Sequence, residues 1–98
     1  MSYRLTLREE AELDIVEYFK FYEDKRIGLG HDFLLCIEEA LDKLIRNPLI
    51  YRKIHKKLRR IGIRRFPYRI FYLVQDDQII VTAVFHARKD PSSWNQHL

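Results

Sequence analysis

The residues of this chain best suited to chemistry are arginines in its second half. Between Arg52 and Arg69, nine side chains are Lys or Arg and none is Asp or Glu. Arg60 and Arg64 lie four positions apart on a predicted strand, so alternation would place them on one face of a sheet. Arg69 on the next strand and Arg88 just after the last strand would extend that face. Because guanidinium groups neutralise phosphates and carboxylates, the pattern predicts a basic surface for an acidic partner.

Three aromatic residues lie close in sequence to these charges: Tyr51, Tyr68 and Trp94. A basic face with aromatic platforms is typical of RNA-binding surfaces, because a ring can stack on a base. Two plainer interpretations stay open at this point. The charges can form a solvated face without a partner, and strand-end aromatics such as Trp94 are also ordinary core residues.

Other kinds of site find little support. The Gly28-Leu29-Gly30 segment lacks the preceding strand and the spacing of a phosphate loop. The four histidines are scattered and there is one cysteine, Cys36, so neither a metal nor a cofactor is expected. Cys36 stands beside Ile37 on a predicted helix and is expected in the core. No serine-nucleophile or paired-carboxylate arrangement is evident.

Composition limits the class of protein. With 98 residues, 47% hydrophobic and 33% charged, the chain is typical of a globular protein, and we expect one domain spanning 1–98. No apolar run reaches the roughly 18 residues that a membrane span needs. The N-terminal residues contain no signal-peptide core, and a lone cysteine carries no sign of an oxidising compartment. The expected location is therefore the cytoplasm.

The net charge of +4 is unevenly distributed. Residues 1–50 hold 7 Lys/Arg and 11 Asp/Glu, a balance of −4, whereas residues 51–98 hold 11 Lys/Arg and 3 Asp/Glu, a balance of +8. The two balances add up to the total. An acidic partner is therefore expected to approach the second half.

Hydrophobic spacing predicts a short strand and then two helices. Residues 3–7 alternate, and the Thr6-Leu7-Arg8-Glu9 segment has the spacing of a capping box at a helix start. Apolar residues at helical spacing predict helices over about 8–25 and 29–46, and Asn47-Pro48 ends the second. So short a connection makes the two helices antiparallel.

After the helices the period changes to two. Strands are predicted over 58–64, 68–74 and 79–86, the last as the central strand, and Gly62 is expected at a bulge or a close approach. The turn around Asp76 joins the last two strands as a hairpin. The predicted fold class is α+β, with an N-terminal strand and an antiparallel helical hairpin packed on one face of a twisted antiparallel sheet.

Several strings resemble one family. They are Asn47-Pro48, Arg64-Arg65-Phe66-Pro67-Tyr68-Arg69-Ile70-Phe71-Tyr72, Val84-Phe85-His86-Ala87-Arg88-Lys89-Asp90-Pro91 and Trp94. Ala11, Asp14 and Tyr18 on the first helix and Gly30 and Phe33 at the start of the second also fit. This pattern, which covers nearly the whole chain, resembles the RelE/ParE superfamily of bacterial toxins and is closer to its ParE-like branch. The family's fold agrees with the one predicted from periodicity.

The resemblance implies the toxic half of a type II toxin–antitoxin pair. It also implies a cognate antitoxin with an acidic, partly disordered segment that folds on binding. ParE-like members inhibit DNA gyrase by binding, and the same is expected here. RelE-like members instead cut messenger RNA in the ribosomal A site without a metal, and this remains the alternative.

For the ribonuclease alternative, the resemblance assigns catalytic positions to Arg60, Arg69 and Arg88. Departures from the RelE pattern favour the ParE-like branch: Gly62 occupies a basic position, and Trp94 occupies the position of a C-terminal tyrosine. Since indole cannot serve as an acid or base, His86 is the candidate for proton transfer.

Under the binding alternative a surface is needed instead of a catalytic centre. Its expected residues are Arg64, Arg65, Tyr68, Lys89 and Trp94. A third hypothesis is a relative that has lost toxicity and only binds nucleic acid.

Overall fold

The computed structural model describes residues 2–88, which form two helices and five strands. In chain order these are β1 (Arg4–Leu7), α1 (Glu9–Lys25), α2 (Leu29–Arg46), β2 (Lys53–His55), β3 (Leu58–Gly62), β4 (Tyr68–Gln75) and β5 (Gln78–His86). The strands form one sheet in the order β1-β5-β4-β3-β2. The α+β class, the N-terminal strand and the helical hairpin packed on the sheet are confirmed.

The start of α1 is held differently from the prediction. Its N-cap is Arg8, without a side-chain cap, so the predicted capping box at Thr6 is wrong. The Arg8 backbone N–H instead donates to the Val81 carbonyl at 2.9 Å, which ties the helix start to β5. Acidic residues in the first turn also favour the positive end of the helix dipole.

The turn between the helices depends on glycine and on one carboxylate. Gly28 has φ 91°, a left-handed conformation that suits glycine. The Glu23 carboxylate accepts hydrogen bonds from the Gly28 and Gly30 backbone N–H groups at 2.9 and 3.0 Å. Gly30 lies so close to α1 that a Cβ there would come within 2.7 Å of the Phe19 carbonyl oxygen. The helices therefore pack closely at this end.

The sheet is mixed, whereas the sequence predicted an antiparallel one. The β2–β3, β3–β4 and β4–β5 pairs are antiparallel, but β1 pairs with β5 in parallel. The helical hairpin carries the chain from β1 to β2 at the far edge, and three reversals then bring β5 beside β1 in the same direction. The middle strand is β4, with β5 between it and β1, so the prediction that the 79–86 strand is central is wrong.

Two further details differ from the prediction. Gly62 pairs regularly with Arg69, and a Cβ at Gly62 would meet no atom within 4 Å, so it marks neither a bulge nor a close approach. The irregularity is instead between β4 and β5, where Thr82 is the extra residue between the partners of Phe71 and Tyr72. The three-residue β2 was not predicted, because so short a strand has no measurable period.

Two apolar clusters lie on the two faces of the sheet. The larger one joins both helices to the sheet and includes Cys36, which is buried as expected. The smaller one lies on the opposite face and contains Leu58, Phe71, Leu73, Ala83 and Phe85. Within residues 2–88, neither helix is long and apolar enough to cross a membrane.

Candidate functional site

The sheet face opposite the helices, here called the open face, carries two of the predicted arginines. Alternation along β3 places Arg60 on the same side as Leu58, and alternation along β4 places Arg69 on the same side as Phe71. Arg60 pairs with Phe71 across the strands, and Arg69 pairs with Gly62. The two guanidinium groups thus rise from an apolar floor, with a side-chain gap at Gly62.

Electrostatics indicate that these cations crowd one another. The pKa of Arg60 is lowered, first because the group is partly removed from water and then because the Arg69 and Arg52 charges lie nearby. Arg60 still carries its charge at neutral pH, since arginine does not deprotonate in proteins. An anion bound here would relieve the repulsion among the three side chains.

Arg64 and Arg65 lie elsewhere. Strand β3 ends at Gly62, and the chain bends through residues 64–67, where Arg65 has φ 72°. The predicted shared face of Arg60 and Arg64 is therefore wrong: Arg64 donates to the two Glu39 carboxylate oxygens of α2 at 3.2 and 3.3 Å.

Arg65 forms an ion pair with Asp32 at 3.6 Å. Glu39 has a lowered pKa, mainly through its hydrogen bond from Arg64. Both arginines are thus engaged with α2.

Tyr68 is a core residue. It projects from β4 towards the helices and is 5% exposed. The centre of its ring lies 4.4 Å from that of the Tyr18 ring. Burial is the largest cause of its raised pKa, followed by interactions with Tyr22. A ring enclosed in this way packs the hairpin on the sheet and has little surface left for stacking on a base.

His86 is on the helix side as well. It pairs with Tyr68 across the strands, and the two rings meet edge to face at 5.3 Å. Its Nδ1 accepts a hydrogen bond from the Arg88 backbone N–H at 3.1 Å. The neighbouring pair, Arg69 and Phe85, faces the open side. Strand alternation therefore separates the His86 imidazole from the Arg60 and Arg69 guanidinium groups.

The remaining predicted positions divide between described and undescribed residues. Arg88 is exposed in the turn after β5. Lys89 and Trp94 lie outside the described residues. From β3 to β5, the open-face positions of the described strands carry no Asp, Glu, His or Tyr. No group of metal ligands was found among residues 2–88.

Sequence reasoning missed one feature, the segment between α2 and β2. Arg59 faces the helix side, and its Nη1 donates to the Leu49 and Tyr51 carbonyl oxygens at 3.1 and 2.6 Å. The Tyr72 hydroxyl donates to the Pro48 carbonyl oxygen at 2.7 Å. The only sequence signal was that Arg59 and Arg60, as neighbours on a strand, must face opposite sides.

Solved structures share this architecture. A chain of the chromosomal ParDE toxin–antitoxin system from P. aeruginosa superposes with a TM-score of 0.77 at 15% identity, covering 86% of this chain and 95% of that one. A mutant E. coli toxin RelE in complex with an antitoxin RelBc peptide gives 0.69 at 18% identity, covering 100% and 96%. At such identities the likeness establishes the fold, which is that of the RelE/ParE toxins.

Sequence comparison identifies the family. The chain belongs to the family described as "ParE toxin of type II toxin-antitoxin system, parDE", whose model matches residues 5–91. Toxin ParE2 of Mycobacterium tuberculosis is 26% identical over 94 residues, covering 95% of this chain and 90% of the relative. The predicted membership of the RelE/ParE superfamily is thereby confirmed, and the chain is a type II toxin of that superfamily.

Proposed function

We propose that this toxin acts in the cytoplasm by binding DNA gyrase, without nuclease chemistry of its own, and that an acidic cognate antitoxin neutralises it. The observation that carries the proposal is the composition of the open face. Arg60 and Arg69 stand there over an apolar floor. Across the described strands β3–β5, that face offers two cations and no Asp, Glu, His or Tyr. On the edge strand β2, His55 pairs with Leu58 and its Nε2 is buried.

Metal-independent RNA cleavage requires a base for the 2′-hydroxyl and an acid for the leaving oxygen. His86, the candidate for that role, contacts Tyr68 on the other side of the sheet, and its Nδ1 already accepts the Arg88 N–H. The tyrosines with resolved shifts have raised pKa values and stay protonated. These placements favour a binding surface over a catalytic centre.

The proposed antitoxin fits the charge distribution. Of the nine cations from Arg52 to Arg69, only Arg64 and Arg65 form ion pairs within the described part of the chain. An acidic segment that folds on this half would compensate the remaining charges, and folding on binding suits a large wrapped surface.

The first test measures the purified toxin against gyrase and against messenger RNA on the ribosome. We expect inhibition of supercoiling and intact messages. Replacing both open-face arginines, Arg60→Ala with Arg69→Ala, should weaken the inhibition about a hundredfold or more, because each substitution removes a charge-assisted contact worth about 1.5–3 kcal/mol.

A matched control removes two exposed helix-end arginines, Arg26→Ala with Arg46→Ala, and should inhibit like the unchanged chain. His86→Gln should also leave inhibition of supercoiling intact. Messages cut on the ribosome, with cutting lost in His86→Gln or Arg88→Ala and gyrase unaffected, would show instead that the toxin is a ribonuclease.

A further inference from the structure

The segment that connects α2 to β2 carries an exposed pair of aliphatic side chains. Leu49 and Ile50 are 53% and 64% exposed, although they directly follow the fully buried Pro48. Scattered exposed aliphatics are common and need no explanation. This pair differs because the backbone that carries it is held in place.

Three backbone carbonyl groups of this segment accept hydrogen bonds from side chains of the sheet. The Tyr72 hydroxyl, itself buried in the core, donates to the Pro48 carbonyl oxygen at 2.7 Å. Arg59 Nη1 donates to the Leu49 and Tyr51 carbonyl oxygens on either side of Ile50. Side chains from two strands thus fix a loop that presents two aliphatic side chains to solvent.

Cations lie beside Leu49 of this pair. A cleft of about 230 Å³ beside it is lined by Leu49, Lys53, Lys57, Arg59 and Val74. Lys53 and Lys57 form no ion pair with any residue that the structure describes. An apolar centre with a charged rim is the usual composition of a protein-binding hot spot.

The shape and chemistry define the partner. The cleft's cations suit a phosphate, but Leu49 and Ile50 offer nucleic acid nothing and the residues lining the cleft include no aromatic ring for a base, so nucleic acid is disfavoured. An anchored apolar protrusion suits a preformed pocket of a folded protein, because neither surface then has to be ordered on binding. The positive rim requires carboxylates around that pocket.

We propose that Leu49 and Ile50 form the knob by which the toxin docks into an apolar, acid-rimmed pocket of its folded target, with a carboxylate of the target entering the neighbouring cleft. This inference rests on the proposed function, because it takes the target to be gyrase. It adds a second contact region at the β2–β3 edge of the sheet, where Arg59 acts as a positioning residue.

The test measures equilibrium binding of the purified toxin to purified gyrase, together with inhibition of supercoiling. Leu49→Ser with Ile50→Ser should weaken binding roughly 30-fold, as expected for loss of a hot spot. Lys53→Glu with Lys57→Glu should weaken it at least tenfold and reverse its dependence on salt. Arg59→Gln should weaken binding while making residues 49–51 exchange their amide hydrogens faster.

Matched controls alter the exposed part of α1: Leu13→Ser with Val16→Ser, and Lys20→Glu with Lys25→Glu. They should bind gyrase like the unchanged toxin. Circular dichroism and thermal unfolding of every variant exclude loss of the fold as the cause.

Other outcomes separate this inference from the proposed function. If the unchanged toxin binds gyrase and the knob variants bind equally well, the knob assignment is wrong and the proposed function stands. Loss of antitoxin binding alone would assign the knob to the antitoxin and overturn the inference. Failure of the unchanged toxin to bind gyrase would overturn both.

Discussion

At the scale of single residues, buried tyrosine hydroxyls connect the sheet to distant parts of the chain. Tyr72 is fully buried, and its hydroxyl satisfies the Pro48 carbonyl, 24 residues earlier in the sequence. Burial raises the pKa of Tyr72, so it remains a donor throughout the physiological range. Residues with a polar end in a core are costly unless that end is paired.

Tyr72→Phe tests this pairing. The substitution keeps the ring but leaves the Pro48 carbonyl oxygen without its donor, which should lower the free energy of unfolding by about 1–3 kcal/mol. Urea unfolding measures the difference. Tyr3→Phe is the control, since the Tyr3 hydroxyl has no hydrogen bond within the described residues, and should change stability little. Equal losses in both variants would show that the bond to Pro48 contributes nothing particular.

Tyr18 predicts how stability depends on alkaline pH. Burial, with the nearby Asp14 and Glu17 charges, raises its pKa from 10.0 to about 12. A raised pKa in the folded state means that the unfolded chain releases its proton first, so stability is retained below about pH 10 and declines from there to about pH 12. Tyr18→Phe should show a shallower decline in urea unfolding between about pH 9 and 11.5. Parallel curves for the two proteins would contradict this.

At the scale of elements, the helical hairpin depends on close approach of its two helices next to the turn that joins them. Gly30 belongs to α2, where alanine would ordinarily be the better helix former by about 1 kcal/mol. Here a Cβ would meet the Phe19 carbonyl oxygen at 2.7 Å and the Phe19 ring at 2.9 Å. The backbone oxygen cannot move aside without moving α1.

Gly30→Ala should therefore destabilise the toxin despite the gain in helix propensity, by about 1–3 kcal/mol. The comparison is Gly62→Ala on β3, where no atom lies within 4 Å of the added Cβ and the effect should be neutral or slightly stabilising. Thermal unfolding of both variants provides the measurement. A stable Gly30→Ala protein would mean that the helices separate without cost.

At the scale of the whole molecule, charge separation sets how partners approach. The balance of −4 over residues 1–50 and +8 over residues 51–98 places most of the unpaired cations on the sheet and its edge hairpin. Such a field accelerates association with an acidic protein and is screened by salt.

The rate of association with the proposed antitoxin should fall about tenfold or more between roughly 20 and 500 mM salt. Stopped-flow mixing of the separated proteins measures it. Lys57→Glu with Arg60→Glu should flatten this dependence, whereas Lys20→Glu with Lys25→Glu on α1 should leave it unchanged. An association rate indifferent to salt in the unchanged toxin would contradict electrostatic steering.

The sequence by itself determined both helices, the strands other than β2, the charge separation and the family. The period of 3.6 over α2 and the period of two over β4 and β5 were strong enough to locate these elements to within about two residues. Local spacing also predicted that Cys36 is a core residue. These properties depend on neighbours in the chain, which a sequence displays directly.

Only the tertiary structure decided which face each side chain occupies. Alternation along a strand shows which residues share a face, but it does not show which face the helices cover. The sequence therefore placed Arg60 and His86 in one candidate site, although they lie on opposite faces of the sheet. The bend after Gly62, which turns Arg64 towards Glu39, depends on contacts 25 residues apart. The parallel β1–β5 pair and the anchored loop at Leu49 depend on the same kind of distant contact, and no local pattern encodes them.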